Sequence, residues 1–71
     1  MGEEMHYQII ANKIRLKRIQ LEITQEKMAA DLKISISTYS KNEKHTKDIP
    51  LERFFHIAEL LGLSAEELIS A

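Results

Sequence analysis

Cysteine is absent from the 71 residues, which excludes disulfides and thiolate metal sites and makes a reducing compartment the natural home. Glycine occurs only at Gly2 and Gly62, too few for a glycine-rich loop that cradles a nucleotide phosphate. Pro50 is the sole proline, and no apolar run approaches the roughly 20 residues of a membrane span. The Met1-Gly2-Glu3-Glu4 start lacks the features of a signal peptide, so a cytoplasmic protein with no membrane contact is expected. His6, His45 and His56 are too scattered to hold a metal, and no Ser, His or Asp stands in a nucleophile context. No cofactor, small-molecule ligand or enzymatic activity is expected.

A basic total is missing too, since the net charge is −1. The distribution is uneven, however. Asn12 to Lys47 carries nine Lys/Arg against four Asp/Glu, while Asp48 to the end carries five acids and one base. Screening confines phosphate attraction to about 8 Å at physiological salt, so a nucleic-acid binder needs a basic face and not a basic total.

What is present is helical periodicity. Strand signals are lacking, while apolar residues recur every three or four positions in a chain that is 44% apolar. One domain over residues 1–71 is predicted, with a core at about 9–69 and five short helices. Helix 1 spans about Met5 to Gln20, with Ile10, Ile14, Arg18 and Leu21 on its inward stripe. Thr24 caps helix 2, whose Met28, Ala29 and Leu32 face inward; Ser35 caps helix 3, which turns Tyr39 inward and ends near Lys44. Pro50 takes the first position of helix 4, where Leu51, Phe54, Phe55, Ile57, Ala58 and Leu61 form the most apolar segment. Gly62 ends that helix, and Ser64-Ala65-Glu66-Glu67 is a capping box opening helix 5.

Thr24 to Glu43 is the informative stretch: two capped helices with a break at Lys33-Ile34 make a helix-turn-helix unit. Ala29 is small enough for a close crossing, and Ile34 plugs the angle. On a helical wheel Ile36, Ser37, Ser40, Lys41 and Lys44 share the face of helix 3 opposite Tyr39. That face is free to reach base edges in a major groove.

The string Lys17-Arg18-Ile19-Gln20-Leu21-Glu22-Ile23-Thr24-Gln25-Glu26 resembles the opening of phage repressor and Cro DNA-binding domains. So does the series Ile34-Ser35, Tyr39-Ser40-Lys41, Glu43, Leu51, Ile57-Ala58 and Leu60-Leu61-Gly62-Leu63-Ser64. The resemblance to this Cro/repressor-type (XRE-type) helix-turn-helix family implies an all-α, five-helix, lambda-repressor-like domain that binds double-stranded DNA as a dimeric repressor. Carried over by position, Ile36, Ser37 and Lys41 read bases, while Gln25, Ser35, Ser40, Lys44, Thr46 and Lys47 hold the backbone. Arg18 and Glu43 match a structural pair, and Leu63, Ala65, Glu66 and Ile69 lie in the pairing region. Departures are Lys33 and Glu22 at positions often held by glycine, Asn42 where an aliphatic residue is usual, and Ile36, which donates no hydrogen bond. Asn42 is expected to be partly buried and satisfied by the loop from His45 to Asp48. An antitoxin-like regulator with a protein as its main partner is the alternative; no segment is evident for that contact.

Overall fold

A computed structural model describes residues 3–70 of the chain, with side chains described from residue 6 onward. Five α-helices follow in order: α1 (Glu3–Gln20), α2 (Gln25–Leu32), α3 (Ile36–Lys44), α4 (Leu51–Leu60) and α5 (Ala65–Ile69). A single 3-10 turn, Thr46–Asp48, links α3 to α4, and there is no strand among the described residues. The Cα radius of gyration is 11.2 Å. A closed globule of this length should give about 11 Å, so the helices share one centre.

Local chemistry sets the helix starts. The Thr24 hydroxyl accepts from Lys27 N at 3.0 Å and the Ser35 hydroxyl from Thr38 N at 3.0 Å. At α5 the capping box closes in both directions: Ser64 Oγ accepts from Glu67 N, and Glu67 Oε1 accepts from Ser64 N at 2.9 Å. Pro50 is the exception to expectation. It stands at the N-cap of α4 instead of the first helical position, because its ψ of 143° is extended. Its carbonyl accepts the first helical bond, from Phe54 N at 2.9 Å.

Three helices end in one motif. After α1, Ile23 N reaches back to Arg18 O and Glu22 N to Ile19 O; after α2, Ile34 N bonds Ala29 O and Lys33 N bonds Ala30 O. After α4, Leu63 N bonds Ala58 O and Gly62 N bonds Glu59 O. Each pair requires a left-handed residue between helix and turn, and Glu22, Lys33 and Gly62 have φ of 58°, 59° and 69°. Only Gly62 takes that conformation without Cβ strain. Lys33 is exposed, so Lys33→Gly loses no packing. Relief of the left-handed strain, about 1–2 kcal/mol, outweighs the extra unfolded-chain freedom of about 0.4–1 kcal/mol. Thermal melting should show Lys33→Gly more stable by a few degrees; an unchanged or lower melting point would contradict the strain assignment.

The core joins Ile10 and Ile14 of α1, Met28 and Ala29 of α2, Tyr39 of α3, Phe54, Ile57 and Leu61 around α4, and Leu68 of α5. Leu21 departs from the predicted inward stripe, with 43% exposure. The helix ends at Gln20, and left-handed Glu22 swings the chain so that Ile23 packs against the core instead. Phe54 is buried, but Phe55 and Leu51 are exposed. Successive helical residues sit about 100° apart, so the Phe54–Ile57–Leu61 stripe excludes Phe55, and Leu51 lies one turn before Phe55 on the outer side.

Candidate nucleic-acid interface

The crossing of α2 and α3 rests on the absence of bulk. Ala29 and Tyr39 are fully buried where the two helices meet, and half-buried Ile34 fills the turn between them. Tyr39 then fixes the rotation of α3. With its ring in the core, Ile36, Ser37, Lys41 and Lys44 are exposed and Ser40 is half-buried. The structure therefore gathers the five outer-face residues on one side of α3.

A buried ionic cluster sets the angle at which α3 stands. Arg18 donates from Nε to Glu43 Oε2 at 2.7 Å and from Nη2 to Glu43 Oε1 at 3.2 Å. Its Nη1 donates to the Ile23 carbonyl at 2.7 Å, and Gln25 Nε2 donates to Glu43 Oε1 at 3.1 Å. The carboxylate thus ties α1 and the start of α2 to the end of α3, and Arg18 adds the α1–α2 turn. Burial alone would raise the Glu43 carboxyl, but the bonds from Arg18 and Gln25 and the nearby Tyr39 hydroxyl outweigh it and hold Glu43 below the usual carboxylate range. The Arg18 guanidinium is pushed up in turn by its bond to Glu43. Burial, then the neighbouring Glu43 charge, raises the Tyr39 phenol well above its ordinary value. The Tyr39 hydroxyl lies beside the pair without a hydrogen bond of sound geometry.

The other candidate residues are placed as follows. Gln25 is half-buried, with one of its two amide protons engaged by Glu43. Ser35 accepts the cap bond and donates its hydroxyl proton to Thr38 Oγ1 at 2.8 Å. Lys44 and Lys47 are exposed. Thr46 turns inward instead of lining the outer loop: it is buried, and its hydroxyl donates to the Tyr7 carbonyl at 2.9 Å, pinning the loop to α1. Asn42 is buried as expected, but its partner is Arg53 Nη1 at 3.1 Å and not the following loop. Arg53 lies on α4, which faces Asn42 across the core edge. In the pairing region Leu63 and Ala65 pack against the core, while Glu66 and Ile69 point outward.

Sequence reasoning does not reach Arg15, Asn12 and His45, which join Gln25 and Lys44 around one groove. The available signal was Arg15 three residues before Arg18, one turn along the same helix. No cluster of three metal-ligating side chains occurs among the described residues, and no helix there is long and apolar enough to cross a membrane.

Neither a curated relative nor a solved structure matches the chain. The sequence model of one family does, over residues 11–71, nearly the whole of it and including both helices of the bihelical unit. The chain belongs to the helix-turn-helix domain family.

Proposed function

We propose that the protein is a sequence-specific regulator of transcription, a dimeric repressor that lays α3 in the major groove of double-stranded DNA. The observation that carries this reading is the outer face of α3. Ile36, Ser37, Lys41 and Lys44 stand clear of the core while a buried charge cluster fixes the helix that bears them. Second helices of such units read base edges in that groove. Lys41 and Ser37 are polar base readers, and the exposed Ile36 side chain suits a thymine methyl. Gln25, Lys44 and Lys47 hold phosphates, with Gln25 oriented for the task by Glu43. The basic excess between Asn12 and Lys47 supplies the field.

Pairing of two copies follows from affinity, because a single small domain touches few base pairs and half-sites add their contacts. Exposed Leu51 and Ile69 line one apolar groove, bordered by Tyr7 and Ile10 of α1 and by the Thr46–Lys47 turn, and its α4–α5 side is a surface suited to a second copy. Selection of bound sites from random duplex DNA tests the whole reading. It should return a two-fold symmetric sequence. Enrichment of no sequence, with binding that ignores salt, would contradict it.

Lys41→Ala should weaken the selected site by about 1–3 kcal/mol if the ammonium meets guanine, and should relax preference at one position of each half-site. Repeating the selection with the variant checks this. An unchanged base preference would remove Lys41 from base reading.

A further inference from the structure

We propose that the groove between α1 and the end of α3 is a clamp for a backbone phosphate of the duplex, with Arg15 as the cation that closes it. This rests on the DNA-binding reading above and extends the contact surface to α1, beyond the helix-turn-helix unit itself. The groove is open and encloses about 490 Å³. Asn12 and Arg15 of α1, Gln25 of α2 and Lys44 of α3 line it, together with the Arg18–Glu43 pair.

The charge count decides what fits. Glu43 is the only carboxylate in the lining, and both its oxygens are occupied by Arg18 and Gln25. Arg18 is spent on the same pair and on the Ile23 carbonyl. Two positive charges remain, Arg15 and Lys44, both exposed. Among the described residues the Arg15 side chain makes one bond, a long one of 3.5 Å from Nη2 to Asn12 Oδ1. A neutral partner at that distance orients the guanidinium without neutralising it. Ala11 lies in the lining as well and, being small, leaves room for an entering group.

The direction of the groove identifies the occupant as a polymer's phosphate and not a free ion. A second groove of about 280 Å³ shares Gln8, Lys44 and His45 with the first and continues to Lys47. The two form a continuous track with Arg15, Lys44 and Lys47 along it, and Lys44 joins it to the exposed face of α3. An open track with cations spread along it suits successive charges on one strand. A single small anion would be held in a closed site.

The test is binding of the selected duplex and of a scrambled duplex at several salt concentrations. It compares the full chain with Arg15→Ala, Arg15→Lys and Lys17→Ala. Lys17 is the control, since it carries the same charge on the same helix but lines a different groove. Arg15→Ala should weaken both duplexes by one common factor and lower the slope of log affinity against log salt by about 0.9. Its deficit should therefore shrink about 3.5-fold between 50 and 200 mM salt. Arg15→Lys should restore the slope, and Lys17→Ala should keep it. Replacing chloride by inorganic phosphate at constant ionic strength should leave wild-type binding unchanged; selective displacement would mean that the groove takes free phosphate, and would overturn the clamp. So would an unchanged slope in Arg15→Ala, a loss confined to the selected duplex, or an equal loss in Lys17→Ala. Wild-type protein that binds neither duplex at low salt would instead sink the DNA-binding reading itself.

Discussion

Arg18→Met should destabilise the fold by about 3–5 kcal/mol at neutral pH, the cost of leaving a buried carboxylate without its counter-charge. Glu43 is only 6% exposed, and of its three hydrogen bonds the two from Arg18 vanish, leaving the one from Gln25. Methionine keeps much of the stem volume, so lost packing is a minor part of the effect. A domain of 71 residues is stable by roughly 4–11 kcal/mol, so the loss removes a large fraction of the whole. The pH dependence separates this cause from loss of packing. In the wild type the Glu43 carboxyl is held down, so its contribution is present above the ordinary carboxylate value and is lost as pH falls through the lowered one. In Arg18→Met the desolvation that opposes ionisation prevails, the carboxyl rises above its ordinary value, and stability falls as pH rises through it. The gap between the two proteins should thus widen from pH 4 to pH 7. Urea melts at both values measure it; a gap below 1 kcal/mol, or one that ignores pH, would show that the pair contributes little.

That pair also marks the boundary of what local sequence rules reach. Caps were legible because they act within three to five residues. Thr24, Ser35 and the Ser64–Glu67 box close as their spacing requires, and Lys33, Glu22 and Gly62 take the left-handed positions that their place after a helix imposes. The outer face of α3 was legible from the wheel once Tyr39 was set inward. The Arg18–Glu43 pairing spans 25 residues and came from family resemblance, since no periodicity links the two.

The misplaced residues fail for a common reason: their positions depend on where a neighbouring element lies. Leu21 continues the α1 stripe only if the helix continues, and a left-handed Glu22 stops it. Thr46 looks like a loop hydroxyl until the loop is folded against Tyr7 of α1, 39 residues earlier. Asn42 has a local loop within reach, yet the guanidinium of Arg53 arrives from α4 and takes the carbonyl. The Arg15 groove exists only between elements, so no single segment announces it.

The smallest helix gives the second large effect. α5 has five residues, far below the roughly 12–15 at which an isolated helix becomes even marginal, so tertiary contacts must hold it. One local cap and two tertiary contacts do so. The capping box closes its start, and the Lys13 ammonium donates to the carbonyls of Glu67 and Ser70 at its end. Leu68, with 0% exposure, enters the core that Ile10, Ile14 and Leu61 share. A cap is worth about 0.5–2 kcal/mol, whereas Leu→Ala in a core costs about 2–5 kcal/mol, so Leu68 dominates. Leu68→Ala should therefore release α5 before it unfolds the rest. The amides of Leu68 and Ser70, bonded to the carbonyls of Ser64 and Glu66, should lose protection from hydrogen exchange while those around Met28 and Tyr39 keep theirs. Glu66 and Ile69 stand outward on α5, so the proposed pairing of two copies should weaken with it. Sedimentation should then show a shift toward the monomer, and a two-fold site should be bound with less cooperativity, while salt-dependent binding to scrambled duplex persists. Unaltered protection at Leu68 and Ser70, together with a loss of stability below 1 kcal/mol, would mean that the cap and Lys13 hold α5 without the core.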